Sequence, residues 1–345
     1  MTVRKGIALF AAISLAVSAA VLLSTADRAT VRLILSAKPE GVLIVLGLMA
    51  LAWLVDGLRF CALARAAQER IGFRLGVALT FLNYFGSAIT PMQSGGGPFQ
   101  VYVLYRNGVP IGKGVAITLT RTLLTLFILG FVVPVALVTN PQFLAGQHIM
   151  QGVFSYVVLF VLLTWTVVVL SLIRPQLVKR LGTAFTLFLK RIGIVKPKAV
   201  LRTVRRINHE IDNYSENFRL FFSTGRLHFA FALICSVFHL LLIFSVLPVL
   251  IWAVSLPVCY VQALMAQALF LFVLYFVPTP GGSGIAEGGG AVLFRLLVPL
   301  NMAGVMAIGW RFFTEYLAIA LGAVVAVRLL GWGLADELLG GRKDD

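Results

Sequence analysis

Charge is what this sequence has least of. Asp, Glu, Lys and Arg together make up 12% of its 345 residues, about half the share that a soluble globular domain carries. Acids are the scarcer sign, 13 against 29 basic residues, for a formal net charge of +16. Cysteine is down to three and histidine to four. Cys61, Cys235 and Cys259 lie in or beside apolar stretches without metal-ligand spacing, so they read as small packing residues. His148 and His239 each stand alone, which suits loop or hydrogen-bonded histidines better than metal ligands. There is no nucleophile elbow, no HExxH, no carboxylate pair at metal spacing and no phosphate-binding P-loop. These absences argue against an enzyme and against a bound cofactor or metal. Without a nucleotide motif, any transport would be passive or driven by a gradient, unless a partner supplies the energy.

What is present in excess is apolar surface. Hydrophobic residues are 60% of the chain and the mean hydropathy is +0.97. This places it among polytopic membrane proteins and predicts one all-α helical bundle. The basic residues exclude nucleic acid as the partner by where they fall. They cluster between apolar runs, above all in 174–226, which holds 12 Lys/Arg against 3 acids. That is the positive-inside signature of cytoplasmic loops beside anionic lipid. It predicts a multi-pass protein of the plasma (bacterial inner) membrane with both termini cytoplasmic.

The first apolar run, 6–25, follows a basic start and at about 20 residues is long for a signal core and right for a span. A short outer loop, 27–40, leads to a second span at 41–63, closed by Arg59, Arg65, Arg70 and Arg74. Further full spans are predicted at 114–139, 150–173, 227–254 and 302–332, six in all. In 174–226, Leu177, Leu181, Phe185 and Phe188 share one helical face, and a second apolar stripe runs from Val200 to Phe221. The region reads as a basic amphipathic linker lying at the headgroup layer.

Two stretches cannot be continuous helix. Thr90-Pro91-Met92-Gln93-Ser94-Gly95-Gly96-Gly97-Pro98 interrupts 75–105, and Pro278-Thr279-Pro280-Gly281-Gly282-Ser283-Gly284 interrupts 260–300. Proline removes backbone donors and glycine removes steric restraint. In a bilayer such backbone survives only inside protein or beside a water-filled cavity. If both basic regions lie inside, each interrupted segment must leave and return on one side as a re-entrant broken hairpin. The two halves, 1–140 and 150–173 with 227–333, then form an inverted-topology repeat joined by the linker. Thr90-Pro91 and Thr279-Pro280 each precede glycines, and Arg121 and Arg311 follow these threonines by 31 and 32 residues. Such paired breaks point to a transporter's central site.

Ionisable residues at mid-helix cost about 2.5–3.5 kcal/mol each, so they are usually paired or functional. Arg121 lies eight residues beyond Lys113, about 12 Å along a helix and so near the midplane. Arg311 and Glu315 sit at i and i+4, and Glu287 opens the half-helix after the second break, where a carboxylate suits the helix dipole. The functional expectation is that Arg121 and Arg311 attract a phosphate while Glu287 and Glu315 hold them. The structural alternative is that these are ion pairs fixing the hairpins. The half-helix N-termini suit anions, and Gln93, Ser94, Gln100 and Ser283 could add neutral hydrogen bonds. Asp56 and Arg59 read as an interfacial pair near the inner end of the second span.

The run PTPGGSGIAE at 278–287, followed by WRFFTEY at 310–316, resembles the C-terminal signature of the membrane domain of the lysylphosphatidylglycerol synthase/flippase family. TPMQSGGGPFQVYVLYRNG at 90–108 is similar to that family's other signature. The resemblance covers nearly the whole chain. It implies a helical bundle with two re-entrant hairpins that moves phospholipid or lipid-linked headgroups between leaflets. By the same resemblance Arg121, Arg311, Glu287 and the two Pro/Gly breaks line the path. Long members carry a soluble aminoacyl-transferase domain after the membrane part, whereas this chain stops at Asp345. The expectation is therefore a stand-alone member that does not synthesise lysyl-lipid.

The leading expectation is a lipid flippase, its partners being membrane lipids with an anionic or lipid-linked headgroup, and a homodimer is compatible with the sequence. A transporter of a small anionic solute is the second reading. A non-catalytic accessory subunit of a lipid- or glycan-modifying enzyme is the third.

Overall fold

The computed structural model describes residues 3–90, 93–140 and 225–340, together with the single positions 159, 166 and 176. The chain is an all-α membrane protein. Its described helices are α1 (Val3–Thr25), α2 (Arg28–Leu35), α3 (Pro39–Ala66), α4 (Phe73–Ala88), α5 (Gly96–Arg106) and α6 (Ile111–Thr139). After the undescribed residues come α7 (Arg226–Phe244), α8 (Val246–Ala253), α9 (Tyr260–Leu274), α10 (Ile285–Phe294) and α11 (Leu300–Arg311). A π-helical turn, Phe312–Tyr316, joins α11 to α12 (Leu317–Gly340).

Five helical stretches among the described residues are long and apolar enough to cross a bilayer: Gly6–Thr25, Pro39–Ala66, Ile111–Thr139, Arg226–Ala253 and Leu300–Leu329. The expected span at 150–173 and the linker at 174–226 lie outside the described residues, save for isolated positions and the linker's last two. Pro91 lies outside them too. α4 and α5 hold 16 and 11 residues, and α9 and α10 hold 15 and 10. Each falls short of the roughly 20 residues a span needs.

Three details depart from the sequence reading. The expected loop at 27–40 contains α2, because Asp27 accepts from the Thr30 backbone at 2.8 Å while Thr30 Oγ1 accepts from the Asp27 backbone at 3.2 Å. These reciprocal bonds satisfy two donors that a helix start leaves orphaned. The expected single helix at 227–254 is broken at Ser245, whose hydroxyl donates back to Leu241 O at 2.7 Å. Pro248 in the next turn brings no N–H with which to continue the ladder. The last span is not straight α-helix but carries the π turn.

Packing interleaves the two halves. α3 lies against α7 and α8, α4 against α12, α6 against α9, and α1 covers α10 and α11. α3 and α4 approach closely at a glycine pair, where a Cβ on Gly76 would meet Gly57 O at 2.5 Å. Small residues let membrane helices approach this way, and here the approach sets Asp56 of α3 beside Thr80 of α4. On the other side Trp310 stacks within 5.7 Å of Phe270 and 5.9 Å of Phe294, which themselves lie 5.9 Å apart. This aromatic trio pins α9, α10 and α11 into one unit.

Candidate functional site

The first break is closed by side chains that replace the missing helical bonds. Thr90 Oγ1 donates to Gly86 O at 2.9 Å and accepts from Gly95 N at 2.7 Å, and Ser87 Oγ donates to Gln93 O at 3.1 Å. Gln93 sits at φ +53°. Gly96 packs against Asn83, whereas Gly97 faces open space. Gln100 is buried and donates from Nε2 to Leu79 O at 3.0 Å, tying α5 to α4 rather than turning toward the break.

The second break folds on itself and onto the first. Thr279 Oγ1 donates to Ser283 O at 2.9 Å, Gly282 N to Thr279 O at 3.1 Å and Ser283 N to Pro280 O at 3.0 Å. Gly281 N reaches across to Ser87 O at 3.2 Å and Thr90 O at 3.4 Å, so the two broken segments touch. Gly281 has φ +57°, and a Cβ there would sit 2.9 Å from the Phe10 ring and 3.0 Å from Ala88 Cα. Pro280 is buried, and the buried Ser283 hydroxyl has no hydrogen-bond partner among the described residues.

Arg311 is fully buried under this junction. Its Nη2 donates to Gly281 O, its Nη1 lies 2.8 Å from Glu315 Oε1 and its Nε lies 3.6 Å from Glu287 Oε1. The two carboxylate contacts are ion pairs by distance, but neither N–H is aligned for a hydrogen bond. Glu287 is held independently: Oε2 accepts from Gly284 N at 2.6 Å and Oε1 from Tyr316 OH at 2.7 Å. The π turn makes this arrangement possible. Residues five apart, such as Arg311 and Tyr316, diverge by about 140° on an α-helix, whereas i→i+5 winding returns them to one face. The Tyr316 ring accordingly lies 5.8 Å from the Arg311 guanidinium.

Arg121 is not in this cluster. It pairs with Asp56, Nη2 to Oδ2 at 2.7 Å and Nε to both carboxylate oxygens at 3.2 Å. Asp56 also pairs with Arg59 Nη2 at 2.7 Å and accepts from Thr80 Oγ1 at 2.9 Å, while Arg59 Nη1 donates to Thr125 Oγ1 at 3.2 Å. Asp56 and Arg59 therefore form a pair, as read from the sequence, but a deeply buried one rather than an interfacial one. The missed signal was position. Asp56 stands ten residues before the end of α3, about 15 Å along the helix and too deep for an interface. His239 Nδ1, donating to Ala52 O at 2.9 Å, fixes α7 beside the same stretch of α3.

Among the described residues there are thus two buried charge clusters of opposite balance. One has two guanidiniums around a carboxylate, and the other has two carboxylates around a guanidinium. Tyr84 and Tyr275 are electrostatic neighbours of both. The side chains that keep some exposure are Arg121 (8%) in the first cluster and Glu315 (15%) in the second. Arg311 is sealed, and its charge is compensated locally. Among the described residues no group of three or more His, Cys, Asp or Glu is placed to hold a metal ion.

The family described as "Lysylphosphatidylglycerol synthase TM region" matches residues 11–322. A protein named "UPF0104 membrane protein" from Archaeoglobus fulgidus is similar at 27% identity over 326 residues, covering 90% of this chain and 93% of the relative.

Proposed function

This chain belongs to the lysylphosphatidylglycerol synthase TM region family, and from that premise we propose that it is a non-catalytic lipid flippase. A phospholipid headgroup passes the midplane at the joined breaks while its acyl chains stay in the bilayer. The observation that carries this reading is the contact of Gly281 with Ser87 and Thr90, flanked by buried clusters of opposite charge. A headgroup crossing hydrocarbon loses its hydration, and a fixed set of charges and backbone dipoles replaces it. Arg121, whose side chain keeps 8% exposure, meets the phosphate. Arg311 acts by holding the second break in place, through Gly281 and the two glutamates. The reciprocal packing of α4 on α12 and α9 on α6 supports an inverted repeat in which α4–α5 and α9–α10 are re-entrant. The basic residues of the α3–α4 and α5–α6 connections support a cytoplasmic position for the open ends of the first broken pair.

The test is leaflet-resolved movement of labelled anionic, zwitterionic and aminoacylated phospholipids in proteoliposomes, comparing wild type with Arg121→Gln. The expected outcome is acceleration over protein-free vesicles that the folded variant loses. No acceleration for any phospholipid, or a rate that ignores Arg121, overturns the reading.

A further inference from the structure

A concave surface among the described residues lies outside the charge clusters. A groove of about 470 Å³ runs along the flank of the first broken pair, between α5 and α6. Its walls are apolar, with Val101 and Tyr102 facing Val115 and Leu119. One end opens at Ser94 and Gly97, beside the break, and the other at Tyr105 and Ile111. Tyr105, Ile111 and Leu119 remain 55%, 56% and 46% exposed. The matching face of the second broken pair is closed, because α1 packs there, with Val21 and Thr25 against Gly304 and Val17 over Gly288. Only the first pair offers its flank sideways among the described residues.

Charge at the outer end of the groove selects the occupant. Arg106 follows Tyr105 directly, and Lys113 stands two residues past Ile111. The α3–α4 connection meets this end, since Glu69 pairs with Lys113 at 2.7 Å, and in sequence it is flanked by Arg65 and Arg74 and contains Arg70. Around the α3–α4 and α5–α6 connections one acid, Glu69, stands with five basic residues among the described residues. The eleven residues of α5 extend about 16 Å, half the hydrocarbon core. An apolar slot of one leaflet's depth, with a basic rim at the headgroup level and a polar break at its inner end, fits a single lipid standing upright.

We infer that the groove is a binding site for an anionic phospholipid of the basic-side leaflet, with an acyl chain along α5 and α6 and the phosphate at Arg106. The inference rests on the transport reading for its purpose, as the place where cargo stands before its headgroup turns to the break. Binding itself is tested separately. The full chain is placed in phosphatidylcholine nanodiscs with a trace of phosphatidylglycerol carrying a photoactivatable group in mid-chain, or the same probe on phosphatidylcholine. Labelled peptides are mapped by mass spectrometry.

The phosphatidylglycerol probe should label 94–119 about fivefold more than the phosphatidylcholine probe, the ratio that one basic residue at a charged membrane surface supports. Arg106→Gln should bring the two probes closer together, and an unchanged ratio would overturn the placing of the phosphate. Val101→Trp and, separately, Leu119→Trp should empty the groove of label while other lipid-facing helices keep theirs, so one poorly folded variant does not decide the matter. Equal labelling by both probes, label spread evenly over the lipid-facing helices, or crosslinks to a second copy at 94–119 would overturn the site. Flipping without selective label refutes the groove alone, and selective label without flipping refutes the transport reading alone.

Discussion

Asp56→Asn tests whether the first charge cluster is held together as described. The carboxylate is the single acid between Arg59 and Arg121, each 2.7 Å away, and it also accepts from Thr80. All of these groups are buried. Asparagine keeps the shape but removes the charge, leaving two guanidiniums facing one another without compensation. Breaking a buried pair by removing one partner costs about 3–5 kcal/mol, and here two partners are stranded at once. That is a third or more of the stability of many proteins, ~5–15 kcal/mol. At roughly 2 °C per kcal/mol for a long chain, the unfolding midpoint should fall by about 6–10 °C. The assay is thermal unfolding in nanodiscs, followed by Trp fluorescence. Adding Arg121→Met removes one stranded charge and restores the formal charge of the wild-type cluster. The double variant should therefore be more stable than the sum of the singles by about 0.5–3 kcal/mol. An unchanged midpoint for Asp56→Asn, or singles that simply add, would sink the reasoning.

Glu287→Ala leaves Arg311 with Glu315 alone and uncaps Gly284 N, so a loss of about 3–5 kcal/mol is expected. Glu287→Gln keeps an acceptor for Gly284 N and should cost about 1–3 kcal/mol in the same unfolding assay. Gly281→Ala puts a side chain at φ +57° against Phe10 and Ala88. The strain alone is worth roughly 1–3 kcal/mol, and flipping in proteoliposomes should fall as the two breaks are pushed apart. Gly97→Ala, in the first break, meets nothing within 4 Å and should be neutral or stabilising by about 0.5–1 kcal/mol, a control for glycine replacement at a break. Thr80→Val strips one hydrogen bond from Asp56 and should cost about 1–3 kcal/mol, measured by denaturant or heat.

Much of this arrangement was legible in one dimension because bilayers impose simple rules. Uninterrupted apolar runs gave the long helices, and the Pro/Gly clusters marked both breaks within a few residues. Arg311 and Glu315 are four apart, so their pairing follows from helical spacing. Asp56 and Arg121 are 65 residues apart, and nothing local announces that pair. It depends on how α3 and α6 meet. Helix α2 escaped because its start signal is a single Asp27–Thr30 exchange and its eight residues are too few for a clear period. Gln100 looked like a site residue because it is a polar side chain near a break. Its actual partner, Leu79 O, is a backbone atom that no sequence pattern reveals.

The π turn has an effect beyond the pair of side chains it brings to Glu287. One residue more than an α-turn requires advances everything after it by about 100°. α11 seats one side on α10, while α12 seats another on α4. The last span is therefore built like a crankshaft, with two throws set out of phase on a common axis. The phase is stored in the winding of five residues, where a proline would have stored it as a bend. Its two halves accordingly mesh with different parts of the bundle.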